Sequence, residues 1–463
     1  MYFEQFYLGC LAHASYLIGS EGEAIVVDPQ RDVDLYLKAA EQHGLRIAHV
    51  FETHLHADFV SGHKELAART GAKIYIGSQA GATFPHVDVS DGFELRVGRA
   101  RLKVLETPGH TSESICLLIT DEEKSPRPWA VLTGDTLFLG DVGRPDLSKK
   151  HTPQQLAGLL YDSLHNKLMT LPDDVLVYPA HGAGSLCGKN MRAERSSTIG
   201  TERLTNYALQ IRSRDAFIKE LTSNLPVRPD YFLEDAEINR EGAGALAELP
   251  ELAPISPSEL DAFMKTDGIA LDVRPCDRFA EAHVPGSINI ALSGQFASWA
   301  GTVLGLGVHP VLIADTPEQI AEARMRLARV GIEGVRGYLA GGIESWKKAG
   351  FPLAATEQIS VQDLHQKLDS GTLQVLDVRR EGEWQAGHIA GAAWAPLDHF
   401  RKALPDLDRE RPLAIHCKGG YRSMIACSLL ERAGYRHLIN VKGGFDSWQQ
   451  AQLPSLAEIP VET

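Results

Sequence analysis

Short apolar runs that end in a polar or charged residue recur along the first half of the chain. Runs of this length and composition are typical of buried β-strands. Strands that deliver polar side chains at their C-terminal ends allow an enzyme to collect ligands at one edge of a packed sheet. Six segments share the pattern: AIVVDP (24–29), IAHVFETH (47–54), KIYIG (73–77), RLKVLETPGH (101–110), WAVLTGD (129–135) and DVLVYPAH (174–181).

The pattern changes after about residue 195. Between Arg195 and Arg240 the spacing of apolar residues is helical, and residues 246–258 have the proline and small-residue content of a linker. This organisation predicts a first domain over residues 1–245.

The rest of the chain repeats itself. LDVR at 271–274 recurs at 376–379, and GGIESW recurs later as GGFDSW. In each copy strands alternate with helical patterns, which favours a mainly parallel sheet with helices on both faces. We expect two α/β domains, over residues 254–355 and 356–463.

Length and charge narrow the classes of function. The 463 residues agree with about three domains. Asp and Glu outnumber Lys and Arg by 60 to 46, a net charge of −14, which argues against nucleic acid and membrane surfaces as partners. No run of 18 apolar residues occurs. Only six cysteines and no secretory signal pattern predict a cytoplasmic protein.

Histidine and aspartate residues stand after several of the predicted strands. On irregular loops that follow strands, such side chains can converge on one cation, whereas on a single helix they could not share a face. A lone HxH motif usually occurs by chance, but four groups of such residues, each after a predicted strand, predict a metal site. They are His54, His56 and Asp58 in THLHADFVSGH (53–63), His110 in TPGHT, Asp135 in LTGDT and His181 in YPAHG.

These motifs resemble the metallo-β-lactamase superfamily over roughly residues 1–240. Within it, TPGHTSESICLL, LTGDTLFLGDVGRPDL and VYPAHG are most similar to motifs of the persulfide dioxygenases and of the related glyoxalase II hydrolases. The resemblance implies a sandwich of two sheets between helical layers, the αββα fold, within a chain of α/β and α+β domains.

The same resemblance implies a metal and its ligands. It places one mononuclear Fe(II) per chain on His54, His110 and Asp135, since two imidazoles and a carboxylate form the facial triad of non-haem iron oxygenases. Three further residues would lie behind these ligands and orient them: His56, Asp58 and His181.

One position departs from the hydrolase pattern. That pattern is HxHxDH, whose last His helps to build a second metal site, and here the position is Phe59. Replacing a nitrogen donor by an apolar ring should cripple a second site. We therefore expect one metal rather than two.

Two other residues near these motifs have open assignments. Arg144 in GDVGRPDL either binds the carboxylate of a thiol carrier such as glutathione through its bidentate fork or is an ordinary solvated arginine. Cys187 in GAGSLCGKN either is a buried inert thiol or carries a sulfane sulfur near the metal.

In the second repeat, the predicted strand PLAIHC ends in Cys417, and KGGYRS follows before a helical pattern. A thiol at this place meets backbone N–H groups and the positive end of a helix, which favour the thiolate. The repeat resembles the rhodanese family, in which such a cysteine carries sulfur, and its C-x₄-R loop suits a sulfur atom. Cys417 is then the catalytic nucleophile, and four residues would bind its substrate: Lys418, Gly419, Gly420 and Arg422.

The first repeat lacks this chemistry. A gap-free alignment puts Asp315 opposite Cys417, and TPEQIA has neither the thiol nor the glycines. A carboxylate there would repel a persulfide. We therefore interpret this copy as an inactive, structural or spacer domain.

The combined architecture resembles the fusions of a persulfide dioxygenase with an inactive and an active rhodanese. It implies oxidation of a thiol persulfide by O₂ to sulfite, and exchange of sulfane sulfur with sulfite or thiosulfate at Cys417. The expected partners are a low-molecular-weight persulfide, of glutathione or another thiol, O₂, and sulfite or thiosulfate, with the chain forming a homo-oligomer, either a dimer or a tetramer.

Two alternatives stay open. One is a zinc thioester hydrolase with a fused sulfur carrier, which would use a metal-bound hydroxide. The other is a sulfur relay or sensor whose metal domain only docks partners.

Overall fold

In a computed structural model the protein forms two compact units, Met1–Leu249 with Ala328–Gly331 and Pro250–Leu327 with Ile332–Thr463. The structure describes residues 1–223, 225, 227–368 and 371–457. Within that part of the chain, no helix is long and apolar enough to cross a membrane.

The first unit contains two six-stranded sheets, in the orders β1-β2-β3-β4-β5-β6 and β12-β11-β10-β9-β8-β7. The strands are β1 Tyr2–Leu8, β2 His13–Ser20, β3 Glu23–Val27, β4 Arg46–Phe51, β5 Lys73–Gly77, β6 Val87–Val89, β7 Glu94–Val97, β8 Ala100–Glu106, β9 Ile115–Asp121, β10 Ala130–Gly134, β11 Leu176–Pro179 and β12 Ser197–Thr198. The helices are α1 Asp34–Gln42, α2 His63–Thr70, α3 Pro153–Asn166, α4 Ile199–Thr205, α5 Tyr207–Gln210, α6 Arg214–Thr222 and α7 Tyr231–Glu241.

The alternation of side chains along the strands builds this sandwich. Ile25 and Val27 of β3 join Leu117 of β9 in one core cluster between the sheets. Val26, one residue out of phase, packs with Tyr36 of α1 on the outer face of the first sheet. Apolar residues from β9 and β10 pack against α3 and α6 in a third cluster on the outer face of the second sheet. The strands β3, β9 and β10 are therefore buried on both faces, which is why their sequences are nearly continuously apolar.

The six predicted strands are all present, as β3, β4, β5, β8, β10 and β11, and helices α4 to α7 follow as expected. One expectation was wrong. The strands do not meet at one edge of a single sheet, since β3, β4 and β5 belong to one sheet and β8, β10 and β11 to the other. Because a sandwich buries both sheets on both faces, the strand patterns alone do not reveal which sheet a strand joins.

The second unit contains two five-stranded sheets of the same topology, β13-β17-β16-β14-β15 and β18-β22-β21-β19-β20. Every strand pairing in them is parallel, which confirms the predicted sheet type. The first repeat has β13 Ala253–Ile255, α8 Pro257–Met264, β14 Ala270–Asp272, α9 Cys276–Glu281, β15 Ile288–Asn289, α10 Phe296–Leu304, β16 Val311–Ile313, α11 Pro317–Ala328, β17 Gly337–Leu339 and α12 Gly342–Lys348. The second has β18 Glu357–Ile359, α13 Val361–Leu368, β19 Gln374–Asp377, α14 Glu381–Gln385, β20 Ala393–Trp394, β21 Leu413–His416, α15 Tyr421–Arg432, β22 Leu438–Val441 and α16 Gly444–Gln450.

Candidate functional site

Three buried side chains converge in the first unit. Nε2 of His110 lies 3.4 Å from Oδ2 of Asp135, and Nε2 of His54 lies 3.8 Å from the same oxygen. Each residue offers one atom to a group whose ligand atoms all lie within 4.8 Å of one another. His54 follows β4 of one sheet, while His110 and Asp135 follow β8 and β10 of the other, so the site forms where the two sheets end side by side.

Hydrogen bonds behind the imidazoles determine which nitrogen faces the site. Nδ1 of His110 lies 3.0 Å from the carbonyl oxygen of Arg144, which can only accept, so Nδ1 carries the proton. The hydroxyl of Thr53 donates to Asp28 and therefore accepts from Nδ1 of His54 at 3.0 Å. Both rings consequently present an unprotonated Nε2, the form that binds a metal.

The charges of these groups suit a cation. Burial lowers the pKa of both His54 and His110, which keeps the imidazoles neutral. Burial alone would raise the pKa of Asp135, but the imidazoles of His181 and His110 outweigh it and hold that pKa well below its usual value. Among the described residues, Nε2 of His110 and Oδ2 of Asp135 have no hydrogen-bond partner although both are buried. Two lone-pair nitrogens and an ionised oxygen fit a divalent metal, which would satisfy these atoms.

His181 connects two carboxylates behind the site. Its Nδ1 lies 2.8 Å from Oδ1 of Asp135, and its Nε2 lies 3.0 Å from Oδ2 of Asp58. Burial lowers the pKa of His181, but Asp135 and Asp58 outweigh burial and raise that pKa well above its usual value. His181 and Asp58 thus orient the carboxylate of Asp135, leaving its other oxygen for the metal.

His56 has a different environment from the one expected. Its ring packs on that of His54 with centroids 4.2 Å apart, and its Nε2 lies 3.2 Å from Asp28 and 3.4 Å from Glu52. The hydrogen-bond partner of the His54 ring is Thr53 instead, whose hydroxyl accepts from Nδ1. Sequence reasoning missed Thr53, whose neighbour Asp28 lies 25 residues away along the chain.

The ring of Phe59 occupies the place next to these histidines. It lies 4.1 Å from the ring of His13 and 4.4 Å from that of His56, between centroids, and it is fully buried. His13 is also buried, and neither of its ring nitrogens has a hydrogen-bond partner among the described residues. Nothing in the sequence motifs drew attention to His13, which lies in β2, far along the chain from the other histidines.

Arg144 is not free to bind a substrate. Its Nε and Nη2 atoms donate to the carboxylate of Asp146 at 2.6 and 2.8 Å, and Nη1 donates to the carbonyl of Leu186. The guanidinium group that was expected to bind the carboxylate of a thiol carrier therefore already forms hydrogen bonds within the protein.

Cys187 lies close to the metal-site residues. Its sulfur belongs to a group with Asp58 and His181 whose ligand atoms are within 4.8 Å of one another. Burial, and then the carboxylates of Asp58 and Asp135, raise the pKa of the Cys187 thiol well above its usual value. This thiol is consequently protonated at neutral pH.

A cleft of about 730 Å³ borders the loops that carry the metal-site histidines. Leu55 and Thr111, the neighbours of His54 and His110, are among its lining residues. Two exposed lysines, Lys149 and Lys150, also line it. Arg240, Glu113 and Glu237 line it too, so cations outnumber carboxylates in the cleft by three to two, in a protein of net charge −14.

In the second unit, Cys417 is the residue directly after β21 and is buried. The backbone N–H of Gly420 donates to its sulfur at 3.1 Å. Gly420 has a φ of 97°, a left-handed conformation that glycine adopts without strain, and α15 begins at the next residue. The glycines of the loop thus allow an amide to turn towards the sulfur, while Lys418 and Gly419 are exposed at its rim.

The guanidinium group of Arg422 is paired with a carboxylate. Nη1 and Nη2 donate to the two oxygens of Glu383 in α14 at 2.6 and 2.7 Å. Burial lowers the pKa of Arg422, but Glu383 outweighs it and raises that pKa. Arg422 was expected to bind substrate, whereas two of its nitrogens are already paired.

The equivalent loop of the first repeat is built differently. Helix α11 begins at Pro317, two positions earlier than α15 under the gap-free alignment with an offset of 102 residues. Proline is favoured at the first position of a helix, so it shortens the loop. Asp315 is exposed, and its N–H donates to Gln319. The repeat lacks both the thiol and the amide cradle.

Both halves of the chain match known protein families. The sequence model of the metallo-beta-lactamase superfamily matches residues 8–181, and that of the rhodanese-like domain matches residues 256–349 and 360–451. The human mitochondrial persulfide dioxygenase ETHE1 is 32% identical over 221 residues, which cover 46% of this chain and 77% of that protein. The chain belongs to the persulfide dioxygenase family of the metallo-β-lactamase superfamily.

This member of the persulfide dioxygenase family carries two rhodanese-like domains. A crystal structure of a metallo-beta-lactamase from Staphylococcus aureus is 34% identical and superposes with a TM-score of 0.66, covering 73% of this chain and 98% of that one. A hydroxyacylglutathione hydrolase from Polaromonas is 37% identical over 172 residues, 36% of this chain and 61% of the hydrolase. The persulfide dioxygenase family and its fold agree with the sequence-based resemblance.

Proposed function

We propose that this protein is a non-haem iron persulfide dioxygenase coupled to a sulfurtransferase. In the first reaction, a persulfide RSSH, O₂ and water give RSH, sulfite and two protons. In the second, sulfite and a second persulfide give thiosulfate and RSH, with Cys417 carrying the sulfane sulfur. The observation that carries the proposal is the pair of neutral imidazoles and one ionised carboxylate, with the apolar ring of Phe59 beside His13 and His56 where a second metal would need a donor.

His54, His110 and Asp135 would hold one Fe(II), which when bound supplies open positions for a sulfur substrate and O₂. Thr53 and the carbonyl of Arg144 keep the two imidazoles in the tautomer that binds metal. Phe59 fills the space beside His13 and His56 and offers no donor for a second cation. The protein thus orients the metal ligands, supplies the charge of the carboxylate and surrounds the site with apolar groups.

We assign the carrier of the persulfide to the cleft rather than to Arg144. Lys149 and Lys150 supply two cations at its rim, and the hydroxyls of Ser112 and Ser148 are among its lining groups. Carboxylates of an anionic carrier such as glutathione would pair with these lysines.

At the second site, the Cys417 thiolate attacks a sulfane sulfur, and the bond from that sulfur to its carrier breaks. The leaving thiol or sulfite takes the electron pair, and a nucleophile then accepts the sulfur from the Cys417 persulfide. The N–H of Gly420 stabilises the negative charge on the sulfur of Cys417 in its thiolate form.

A zinc-dependent thioester hydrolase is the second candidate, and the Polaromonas hydroxyacylglutathione hydrolase favours it. Phe59 argues against it because its ring stands beside His56 and His13 where a second donor would be needed. Metal analysis of natively purified protein separates the two. One iron per chain supports our proposal, and two zinc ions per chain would overturn it.

The decisive experiment supplies glutathione persulfide to iron-loaded protein with and without O₂. The proposal requires O₂ uptake and release of sulfite, and iron-loaded protein that consumes no O₂ would refute it. Cys417→Ser should keep O₂ uptake and sulfite release but lose thiosulfate formation. Asp135→Ala should lose O₂ uptake and keep the transferase. A relay or sensor without catalysis at the metal predicts instead that Cys417→Ser abolishes all activity.

We also propose that the protein is a cytoplasmic homo-oligomer. All six cysteines are unpaired thiols, which suits a reducing compartment. Light scattering of the purified protein tests the oligomer, where a monomeric mass would contradict it.

A further inference from the structure

Helix α15 connects the Cys417 loop to the inactive repeat. The hydroxyl of Tyr421, in its first turn, donates to the backbone carbonyl of Ala291 at 2.8 Å. Two turns further on, Oγ of Ser428 accepts from the backbone N–H of Asn289 at 3.0 Å. Both partners belong to or follow β15, the edge strand of the inactive sheet. The helix that starts at the active loop therefore lies along that edge.

The far end of the helix is attached to the same segment. The carboxylate of Glu431 accepts from the N–H of Gly286 at 3.0 Å and from Nε2 of His283 at 2.8 Å. Arg432 donates to the carbonyl of Gly286 and to Asp267. Because contacts extend from the first to the last turn, rotation or sliding of α15 would break several hydrogen bonds at once.

The inactive repeat also contacts the opposite side of the active loop. Asp277, in α9, pairs with Lys442 at 3.3 Å and accepts from Gln358 at 3.0 Å. Lys442 precedes the Gly443-Gly444 turn, and a methyl group added at Gly444 would overlap the carbonyl oxygen of Cys417 at 2.3 Å. Both α15, which follows the Cys417 loop, and the segment of Lys442 and Gly444, which packs against that loop, thus contact the inactive repeat.

Cys276, the neighbour of Asp277, supports the same placement. Burial, and then the nearby Cys417, raise the pKa of Cys276 to about 12. Burial, and then Cys276, also raise the pKa of Tyr421, so its hydroxyl remains a donor at neutral pH. A methyl group at Gly294 of the inactive repeat would touch the Tyr421 ring at 3.6 Å. The inactive repeat therefore covers part of the Tyr421 ring, which stays partly exposed.

We propose that the inactive repeat positions the catalytic loop of the active one, with Tyr421 as the positioning residue. The hydrogen bond to Ala291 holds the start of α15, and the preceding residue, Gly420, aims its N–H at the sulfur of Cys417. A donor that is already oriented stabilises charge on the sulfur without reorganisation. The first repeat, although it lacks the catalytic thiol, thus has a role in the transferase reaction. This inference rests on the proposed sulfurtransferase function and is independent of the dioxygenase.

Tyr421→Phe removes only the hydroxyl. Ser428→Ala is the matched control because it removes the bond from the N–H of Asn289 on the same face of α15, farther from Cys417, together with the bond that the hydroxyl donates to the carbonyl of Ile425 within the helix. Full-length variants are compared for sulfur transfer from thiosulfate to cyanide, for the alkylation rate of Cys417 by iodoacetamide, and for unfolding by urea. Tyr421→Phe should lower kcat about tenfold, with KM changed less than about twofold, and slow alkylation. Ser428→Ala should lower stability to a similar extent and keep kcat within about twofold.

Equal kcat values and alkylation rates for Tyr421→Phe and wild type would overturn the positioning role. Equal losses in both variants would also overturn it, since the contacts would then act only through stability. Cys417→Ser separates this outcome from failure of the proposed function. If that variant still transfers sulfur, the assignment of Cys417 itself is wrong.

Discussion

Arg422 and Glu383 form a doubly hydrogen-bonded pair, with both guanidinium Nη atoms 2.6 and 2.7 Å from the two carboxylate oxygens. The pair joins the active loop to α14 of the same repeat. The arginine of the C-x₄-R loop is therefore a structural clamp on the loop, and its charge is largely neutralised before any substrate arrives.

Glu383→Gln is expected to destabilise the protein by about 1–2 kcal/mol at pH 7, less than a fully buried pair would lose, because the carboxylate is 30% exposed. Burial alone raises the pKa of Glu383, but Arg422 outweighs it and lowers that pKa below its unfolded value of 4.5. The pair's stabilisation is therefore fully present above about pH 4.5 and is lost as pH falls through the lowered folded pKa. Urea unfolding at several pH values measures it, with the exposed Glu381→Gln as control. A difference that grew as pH fell would contradict this account.

Phe59→His should build a second metal site. The new imidazole would stand beside His13 and His56, which lie 4.1 and 4.4 Å from the present ring. We expect the metal content to rise from about one towards two ions per chain, since a donor replaces an apolar ring. Elemental analysis after loading with zinc measures the change, and Phe59→Leu, which adds no donor, should stay near one. Two ions in the wild-type protein would refute the reasoning.

Replacing Lys149 and Lys150 by alanine should weaken binding of an anionic persulfide. Each exposed charge pair contributes roughly 0.2–1 kcal/mol, so the loss of two pairs should raise KM for glutathione persulfide about two- to thirtyfold with kcat nearly unchanged. Added salt should reduce the difference from wild type. O₂-uptake kinetics test this, with the persulfide of an uncharged thiol as the comparison substrate and Lys38→Ala, outside the cleft, as the control protein. An unchanged KM would place the carrier elsewhere.

Cys187→Ser tests whether this thiol carries sulfur. Because burial raises the pKa of Cys187 well above its usual value, the thiol is protonated at pH 7.5 and is a weak nucleophile. We expect the variant to keep at least about half of the wild-type O₂ uptake. Mass spectrometry of the wild-type protein after exposure to persulfide provides a second measurement. A persulfide on Cys187 together with loss of O₂ uptake in the variant would establish the carrier role.

Much of the fold could be predicted because local patterns carry it. The strands β3, β4, β5 and β10 are largely apolar runs buried on both faces, β8 and β11 alternate buried and partly exposed residues, and the repeats show themselves by motif. His54, His110 and Asp135 could be found because each lies within four residues after the end of a strand. Hydrogen-bond partners are harder to find because they are distant in the sequence. Thr53 donates to Asp28, 25 positions away, and Arg422 donates to Glu383, 39 positions away.

The sequence by itself determined the strands, the repeat, the metal-binding residue types, and the loss of a thiol from one repeat. Only the tertiary structure decided that two sheets rather than one deliver the ligands, that Arg144 and Arg422 are already paired, and that the inactive repeat contacts the loop of the active one. The reason is physical. A side chain's type sets which bonds it can form, while the packing of distant segments sets which partners are within the roughly 3 Å over which hydrogen bonds act.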